Sequence, residues 1–326
     1  MAEKHRCCCW TGACCTYCSA SLHFASCCRV WVRGGAMLDA ELYAAHCAPQ
    51  RLAALEAVDA VWPLLRWPQA EAVLRAGPLR RRLTVLDLGC GPGDTTAWVL
   101  APRLPERVLL VGADAHPGFV QHARLRNSRA GVCYELFDVD SFEVELSLLW
   151  RCAPFGIVFS FLLLHRVCNI RRSLQNIYKL MAPSGDALFT LIAHTHLYTV
   201  YYQMAQESVW KDSMLDVDVY VSPFYKSQND LQELVSLLNE AGFQVQRCWA
   251  DQKKFVYNTE EQLKGYLRAV NPFVHRLPDE KKEDFLAEIL RRCYVMYAVT
   301  MEENYLTGMK SYSFNYRCLT ALLIRL

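Results

Sequence analysis

The chain lacks an excess of charge of either sign: its 326 residues hold 35 lysines and arginines against 33 aspartates and glutamates, a formal net charge of +2. Without a basic face to neutralise phosphates, nucleic-acid binding is not expected. It also lacks a long apolar run. No uninterrupted stretch nears the ~18 residues that suggest a membrane span, and the longest candidate, Ile157 to Leu164, reads as a buried strand. Internal repeats and low-complexity linkers are missing as well. What is present, 53% hydrophobic and 12% aromatic residues, excludes disorder across the chain. A soluble globular protein with a sizeable core is expected, placed in the cytoplasm.

Cysteine is plentiful but unevenly spread. Eight of the 16 cysteines (Cys7, Cys8, Cys9, Cys14, Cys15, Cys18, Cys27 and Cys28) fall in residues 1–36, and the rest are scattered without framework spacing. The same 36 residues carry +3 of net charge and leave −1 for the remainder. Cys15-x-x-Cys18 is half of a zinc site, but no second pair follows at ligand spacing, so no metal is expected. Cys, Thr and Gly interrupt any signal-like apolar stretch. Palmitoylation of the clustered thiols stays open. Gly34-Gly35 punctuates the boundary, and residues 1–36 are expected to be a disordered or mis-assigned leader before a working start at Met37. The scattered thiols suit a reducing cytosol.

From Met37 to Arg66 apolar residues recur at helical spacing, predicting one or two helices. Strand-like segments then alternate with helices: strands at Leu83–Leu88, Arg107–Ala113, Val132–Phe137, Phe155–Phe161 and Ala187–Ala193, helices at Asp94–Leu100, Pro117–Arg126 and Asn169–Met181. This rhythm, with near-continuous apolar strands, predicts an α/β fold with a doubly wound, mostly parallel sheet. Residues 194–226 read as aromatic and irregular. Beyond them come a helix over Lys226–Ala241, a strand over Phe243–Trp249, helices over Thr259–Ala269 and Asp279–Met301, and a closing strand over Ser311–Leu326. The expected organisation is one domain, 37–326, with a cofactor half at about 83–193, a helical cap at about 194–310 and the closing strand after it.

The most informative segment is Val85-Leu-Asp-Leu-Gly-Cys-Gly-Pro-Gly-Asp94. Gly89, Gly91 and Gly93 directly after a strand allow a tight turn and close approach of a ligand to bare backbone. Their spacing is not that of the dinucleotide fingerprint. Asp87, inside the strand, faces the mouth of the turn, where its negative charge attracts an ammonium group and repels a pyrophosphate. Asp114 follows the second strand at the distance, ~20 residues on, where an acidic residue takes ribose hydroxyls. Asp138, at the end of the third strand, can accept an adenine amino hydrogen bond, with Phe137 and Val139 flanking the ring. Together these point to a cofactor with an amino group, a ribose and no phosphate.

With an acidic residue followed by Gly-x-Gly-x-Gly, Asp87 to Gly93 resembles the first motif of class I S-adenosylmethionine-dependent methyltransferases. That resemblance implies S-adenosylmethionine as cofactor, with a Rossmann-like fold and helical cap insertions. It places the methionine end on Asp87 and the backbone of Gly89, Cys90, Gly91 and Gly93, with Asp114 and Ala115 at the ribose. Asp138 and Val139 would lie at the adenine, and Ser160 beside the cofactor. Further patches (Leu42-Tyr43 with Gln50, Phe159-Ser-Phe161 to Leu164-His165, Ala269-Val-Asn-Pro-Phe273 and Ser313-Phe-Asn-Tyr316) resemble arthropod juvenile hormone acid methyltransferases. This implies carboxyl methylation of an isoprenoid acid of the farnesoic or juvenile hormone type.

In that family a Gln near the N-terminus and a Trp directly after the Leu-His pair hold the substrate carboxylate. Gln50 matches the first, but Arg166 stands where the Trp belongs, and Cys47 replaces a polar Asn. An arginine can grip a carboxylate through a bidentate pair, hold it too tightly to react, or point to solvent. The chemistry is compatible in itself, since a carboxylate is already ionised at neutral pH and needs no general base. His165, Phe189, Tyr198, Tyr201, Tyr202, Trp210, Tyr220, Phe224 and Tyr225 are candidate walls of an apolar substrate pocket. His165, His194 and His196 are candidate bases for a phenol or amine. The alternatives are therefore a methyltransferase for another small acceptor, or a cofactor-binding protein that has lost turnover.

Overall fold

The computed structural model describes residues 39–67 and 83–326; the cysteine-rich segment 1–36 lies outside them. Two helices open the described chain, α1 (Ala40–His46) and α2 (Ala48–Val61). They part at Cys47 because Pro49 suits the first turn of a new helix, and Asp39 caps α1 by accepting from Glu41 and Leu42 N–H.

The rest is built on one eight-stranded sheet: β1 (Thr84–Leu88), β2 (Leu109–Asp114), β3 (Val132–Leu136), β4 (Phe155–Phe161), β5 (Met181–His194), β6 (Phe243–Tyr257), β7 (Val299–Glu303) and β8 (Lys310–Arg325). The spatial order is β3-β2-β1-β4-β5-β8-β6, with β7 paired to the far half of β8. Strands β1 to β5 are mutually parallel, joined by helices including α3 (Pro117–Arg126) and α4 (Ile170–Leu180). β1 is buried along its whole length, as a parallel strand covered on both faces must be. The order reverses between β1 and β4, so a crevice opens beyond their carboxyl ends, the usual ligand position in such sheets.

The distal part departs from the expected parallel rhythm. Helix α6 (Asp230–Glu240) carries the chain over to β6, and β8 inserts between β5 and β6, antiparallel to both. The turn at residues 304–309 returns directly from β7, and a direct return can only pair antiparallel. β6 runs on to Tyr257, beyond the expected Trp249, because β8 continues alongside it. The helix predicted to reach Met301 stops earlier, as α8 (Asp279–Val295); Tyr297 turns the chain with φ 57° and β-branched Val299 and Thr300 start β7. Within the stretch read as irregular, α5 (His196–Met204) forms behind an N-cap at Thr195. The glycine turn leads into a π-helical turn over Thr96–Leu100 instead of a regular helix.

Apolar packing forms two layers on the sheet and a third body over its end. Helices α4 and α6 cover one face with Leu174, Ile177, Leu234 and Leu238, and Val58 and Val61 of α2 cover the other. Helices α5, α7 (Glu260–Val270) and α8 pack together around Phe273, Phe285 and Phe314 as a cap beside the carboxyl end of β5. Arg66 locks the end of the α2 segment to the sheet: its backbone N–H, Nε and Nη2 all donate to the buried Asp186 carboxylate, at 2.6, 2.8 and 2.6 Å. Among the described residues, no helix is long and apolar enough to cross a membrane.

Candidate functional site

Asp87 sits at the carboxyl end of β1, opposite Gly112 of β2 and Phe159 of β4, and only 1% of it is exposed. Thr96 Oγ1 donates to its Oδ2 at 2.6 Å. Burial pushes the carboxyl up to about 7; the Thr96 bond opposes that shift and the negative Asp114 nearby adds to it. The chain then turns through Gly89, Gly91 and Gly93, all at positive φ (79°, 55° and 92°). A Cβ at Gly89 would lie 2.8 Å from Leu163, and one at Gly93 would lie 2.8 Å from Ala123. Only glycine gives this path. At Gly91 the nearest atom to such a Cβ is Tyr43 Cε1, 3.9 Å away, so α1 lays its tyrosine over the turn. The Tyr43 ring in turn packs on Phe119 at 5.0 Å.

Asp114, at the end of β2, is held in place by backbone. Gly91 N–H donates to its Oδ2 (2.9 Å) and His116 N–H to its Oδ1 (2.8 Å), while burial, the larger influence, raises its pKa. Cys90, inside the turn, is buried with its thiol pushed well up by desolvation, so the turn presents peptide groups in place of a reactive sulfur. Asp138 accepts from Asp140 N–H at 2.9 Å. Phe137 and Val139, expected to flank a bound ring, are buried in the main core just beyond the end of β3. Asp140, which the sequence reading passed over, is buried and braces the loop after β4 by accepting from Ser173 Oγ (2.5 Å) and Cys168 N–H (2.7 Å).

Three buried polar atoms at or near this turn have no partner: Gln50 Oε1 on α2, Asp94 Oδ2 directly after Gly93, and Ser160 Oγ on β4. Orphans of this kind in a folded interior call for a missing ligand or water. An anionic pit, a bare peptide turn, an anchored carboxylate and spare polar atoms suit a polar cofactor with a cationic amino-acid end.

A cavity of about 480 Å³, its open mouth included, lies beside this crevice under the cap. Leu162 has φ 54°, unusual for a non-glycine residue, and this bend after β4 brings His165 and Arg166 into the cavity wall. Ile192 N–H donates to His165 Nδ1 at 3.3 Å, leaving the ring proton on Nε2. Burial, with Arg166 adding to it, drives the His165 pKa well down, so the ring stays neutral. Arg166 is half-buried and makes no salt bridge among the described residues, but its charge reaches Asp114 and opposes the rise in that carboxyl's pKa. Tyr198, Tyr201 and Tyr220 line the cavity, joined by Phe314 of the Ser313-Phe-Asn-Tyr316 patch and by Tyr266, which the sequence did not point to. Tyr198 and Tyr201 stand three residues apart on one face of α5.

Five expected wall residues lie elsewhere, Phe189 in the main core and Tyr225 against the Tyr202 ring among them. Tyr202 stacks on Tyr225 (5.7 Å) and donates to Asp218. Trp210 packs edge-on against Phe285 (5.1 Å), and Phe224 belongs to the main core. Periodicity within α5 and the chain's own turns send these rings into the cap and the core. His194 and His196 also lie off the cavity wall, edge to face with each other at 5.1 Å. Among the described residues, no group of three or more His, Cys, Asp or Glu is placed to hold a metal.

A family profile described as a methyltransferase domain matches residues 86–187. Over 208 residues the chain is 32% identical to juvenile hormone acid O-methyltransferase of Drosophila melanogaster, covering 63% of this chain and 69% of that protein. It is 27% identical over 237 residues to the Bombyx mori protein of the same name, covering 72% and 83%. A trans-aconitate 2-methyltransferase of Methylobacterium nodulans is 34% identical over 118 residues, 36% of this chain and 41% of that one. The chain thus belongs to the class I S-adenosylmethionine-dependent methyltransferases, and within them it is similar to the juvenile hormone acid O-methyltransferases.

Proposed function

We propose that this methyltransferase esterifies the carboxylate of a long apolar acid, of the isoprenoid type named in its insect relatives. The observation that carries this reading is Arg166, a guanidinium that makes no salt bridge among the described residues, set in a cavity walled mainly by aromatic and aliphatic side chains, with Asp114 close enough to feel its charge. A cation not bonded to a carboxylate in such a place can take an anion, and the apolar wall suits a hydrocarbon attached to it. The names of both groups of relatives, juvenile hormone acid and trans-aconitate, are those of carboxylic acids.

Bound S-adenosylmethionine supplies a sulfonium methyl group, an electrophile that an ionised carboxylate can meet without a base. The pocket accords with that. His165 has Nδ1 engaged by Ile192 and is a neutral donor through Nε2, so it cannot take a proton from a phenol or amine through Nδ1. Arg166 and Gln50 would hold the carboxylate, with His165 donating beside them. Asp87 would face the cofactor's ammonium group, the backbone of Gly89, Cys90, Gly91 and Gly93 its methionine end, and Asp114 with Ala115 its ribose. Asp138 would take the adenine, with Val139 contributing backbone and Ser160 Oγ a further hydrogen bond. Acceleration comes from orientation and exclusion of water under the cap. Each buried CH₂ of the acid adds ~0.8 kcal/mol to binding.

Incubation with labelled S-adenosylmethionine and a panel of fatty and isoprenoid acids, phenols and amines tests this. Methyl esters of the long acids are the expected product. Transfer only to a phenol or amine, or cofactor binding with no transfer to any acceptor, rejects it.

A further inference from the structure

Helix α4 carries two polar side chains on its buried face, Ser173 (0% exposed) and Asn176 (3%), about one turn apart. Both reach the turn that follows β3. Asn176 Nδ2 donates to Val139 O at 2.8 Å and to Ser141 O at 2.7 Å, gripping the backbone on either side of Asp140. Ser173 Oγ donates to Asp140 Oδ1 at 2.5 Å. The other carboxylate oxygen, Oδ2, accepts from Cys168 N–H at 2.7 Å. Polar groups on a core-facing helix destabilise a fold unless each is hydrogen-bonded. Here both are engaged in placing one buried carboxylate, and that carboxylate in turn holds a backbone N–H of the loop after β4.

Cys168 stands two residues beyond Arg166, at the close of the turn that puts His165 and Arg166 into the cavity wall. That turn opens at Leu162, whose N–H donates to Thr190 O at 2.8 Å and whose φ of 54° bends the chain. Inside it, Arg166 N–H donates to Leu163 O at 2.7 Å. A non-glycine residue stays at positive φ only where its surroundings hold it there. Strand β5 holds the opening end of the turn, and Asp140 holds the closing end. The same residue also faces the cofactor side, since Asp140 N–H donates to Asp138 Oδ1 at 2.9 Å. One of these bonds is made by backbone and the other by side chain, so substitution separates them.

Building on the carboxyl-methylation reading, we infer that Asp140 is a positioning residue for the acid: by tying Cys168 N–H to α4, its carboxylate sets where the Arg166 guanidinium stands. Asp140 acts through the backbone of the Arg166 turn and is not itself part of the cavity wall. A misplacement of about 1 Å at a group that orients a substrate is enough to weaken binding and turnover severely.

The test is calorimetric binding of dodecanoic acid in the presence of S-adenosylhomocysteine, set beside the binding of S-adenosylhomocysteine alone. Asp140→Ala is expected to weaken the acid about tenfold and to leave S-adenosylhomocysteine within about twofold, because the N–H on Asp138 stays. Asp140→Asn is expected to restore the acid. Its Oδ1 accepts from Cys168 N–H, and its NH₂ donates to Ser173 Oγ, whose proton turns to Asn169 O, 3.0 Å away. Ser173→Ala removes a buried hydrogen bond but keeps the Cys168 anchor, and it is expected to bind the acid as the wild type does. In an Arg166→Ala background, Asp140→Ala should add no further loss, whereas a merely structural role would weaken the acid alike in both backgrounds. Equal losses in both backgrounds, the same loss in Ser173→Ala, a parallel loss of S-adenosylhomocysteine affinity, or no loss in Asp140→Ala overturns the inference. Hydrogen exchange over residues 162–169, which requires no acid, separates the two readings. Faster exchange in Asp140→Ala, in a protein whose wild type binds no acid, would reject carboxyl methylation and leave Asp140 as the anchor of the Arg166 turn. Unchanged exchange would reject the Asp140 assignment itself.

Discussion

Asp87, proposed to face the cofactor's ammonium group, is a charge that the fold holds at a cost. Buried at the end of β1, its carboxyl titrates near 7 instead of near 4, so ionising it costs free energy until a cation arrives. For binding, the sign follows directly. Below pH 7 the empty site is protonated, and cofactor affinity is expected to fall up to tenfold per pH unit, a dependence that calorimetry should find absent in Asp87→Asn. For stability, a carboxyl raised in the folded state favours folding most below its unfolded pKa, and that contribution is lost as pH rises through about 7. Without cofactor, the wild-type protein should thus lose more stability between pH 5 and 8 than Asp87→Asn does, as thermal melts would read. Arg166 makes the complementary case on the substrate side. Arg166→Ala is expected to raise KM for the acid about tenfold or more, since charge-assisted hydrogen bonds carry ~1.5–3 kcal/mol. Unchanged KM values would remove Arg166 from the site.

Helix α1 belongs to neither half of the sheet, yet it joins the two parts of the site. Its Tyr43 covers the glycine turn, and its His46 ring lies flat against the backbone of Gly265 on α7, where any Cβ would collide with the imidazole. This notch fastens the helix over the cofactor turn to the cap over the cavity. Gly265→Ala is expected to destabilise the protein by ~1–3 kcal/mol through overpacking, and His46→Ala in the same chain should recover much of the loss. Equal melting temperatures for Gly265→Ala and the wild type would mean that the contact yields without cost. None of this is visible in the sequence. Gly265 in a helix reads only as a weak propensity, and its partner lies more than two hundred residues earlier in the chain. The cofactor turn was legible because strand, glycines and acid stand together within one short segment. The cavity wall was not, because its aromatic residues come from α5, α7, β8 and a 3₁₀ turn that meet only after folding. Aromatic content identified the region; it could not separate Tyr198 and Tyr220 from Tyr202, Trp210 and Phe224.

Across the whole molecule, the N-terminal layer is tied to the sheet by Arg66 and Asp186, residues 120 positions apart. Asp186→Asn is expected to cost about 2 kcal/mol in urea unfolding, below the usual figure for a broken buried pair because Arg66 keeps 31% of its side chain exposed. An unchanged midpoint would mean the pair only restrains the layer. At this scale the division between sequence and structure has a physical cause. Local patterning by itself determined the alternating strands, the glycine turn with its acids at successive strand ends, and so the class of cofactor, because each strand, turn and strand-end acid is read within its own short segment of chain. Only the tertiary structure decided that β8 wedges antiparallel between β5 and β6, and that Phe137 and Val139 turn into the core. It also decided which tyrosines wall the cavity. Those outcomes depend on which distant surfaces bury each other, and no local pattern encodes that choice.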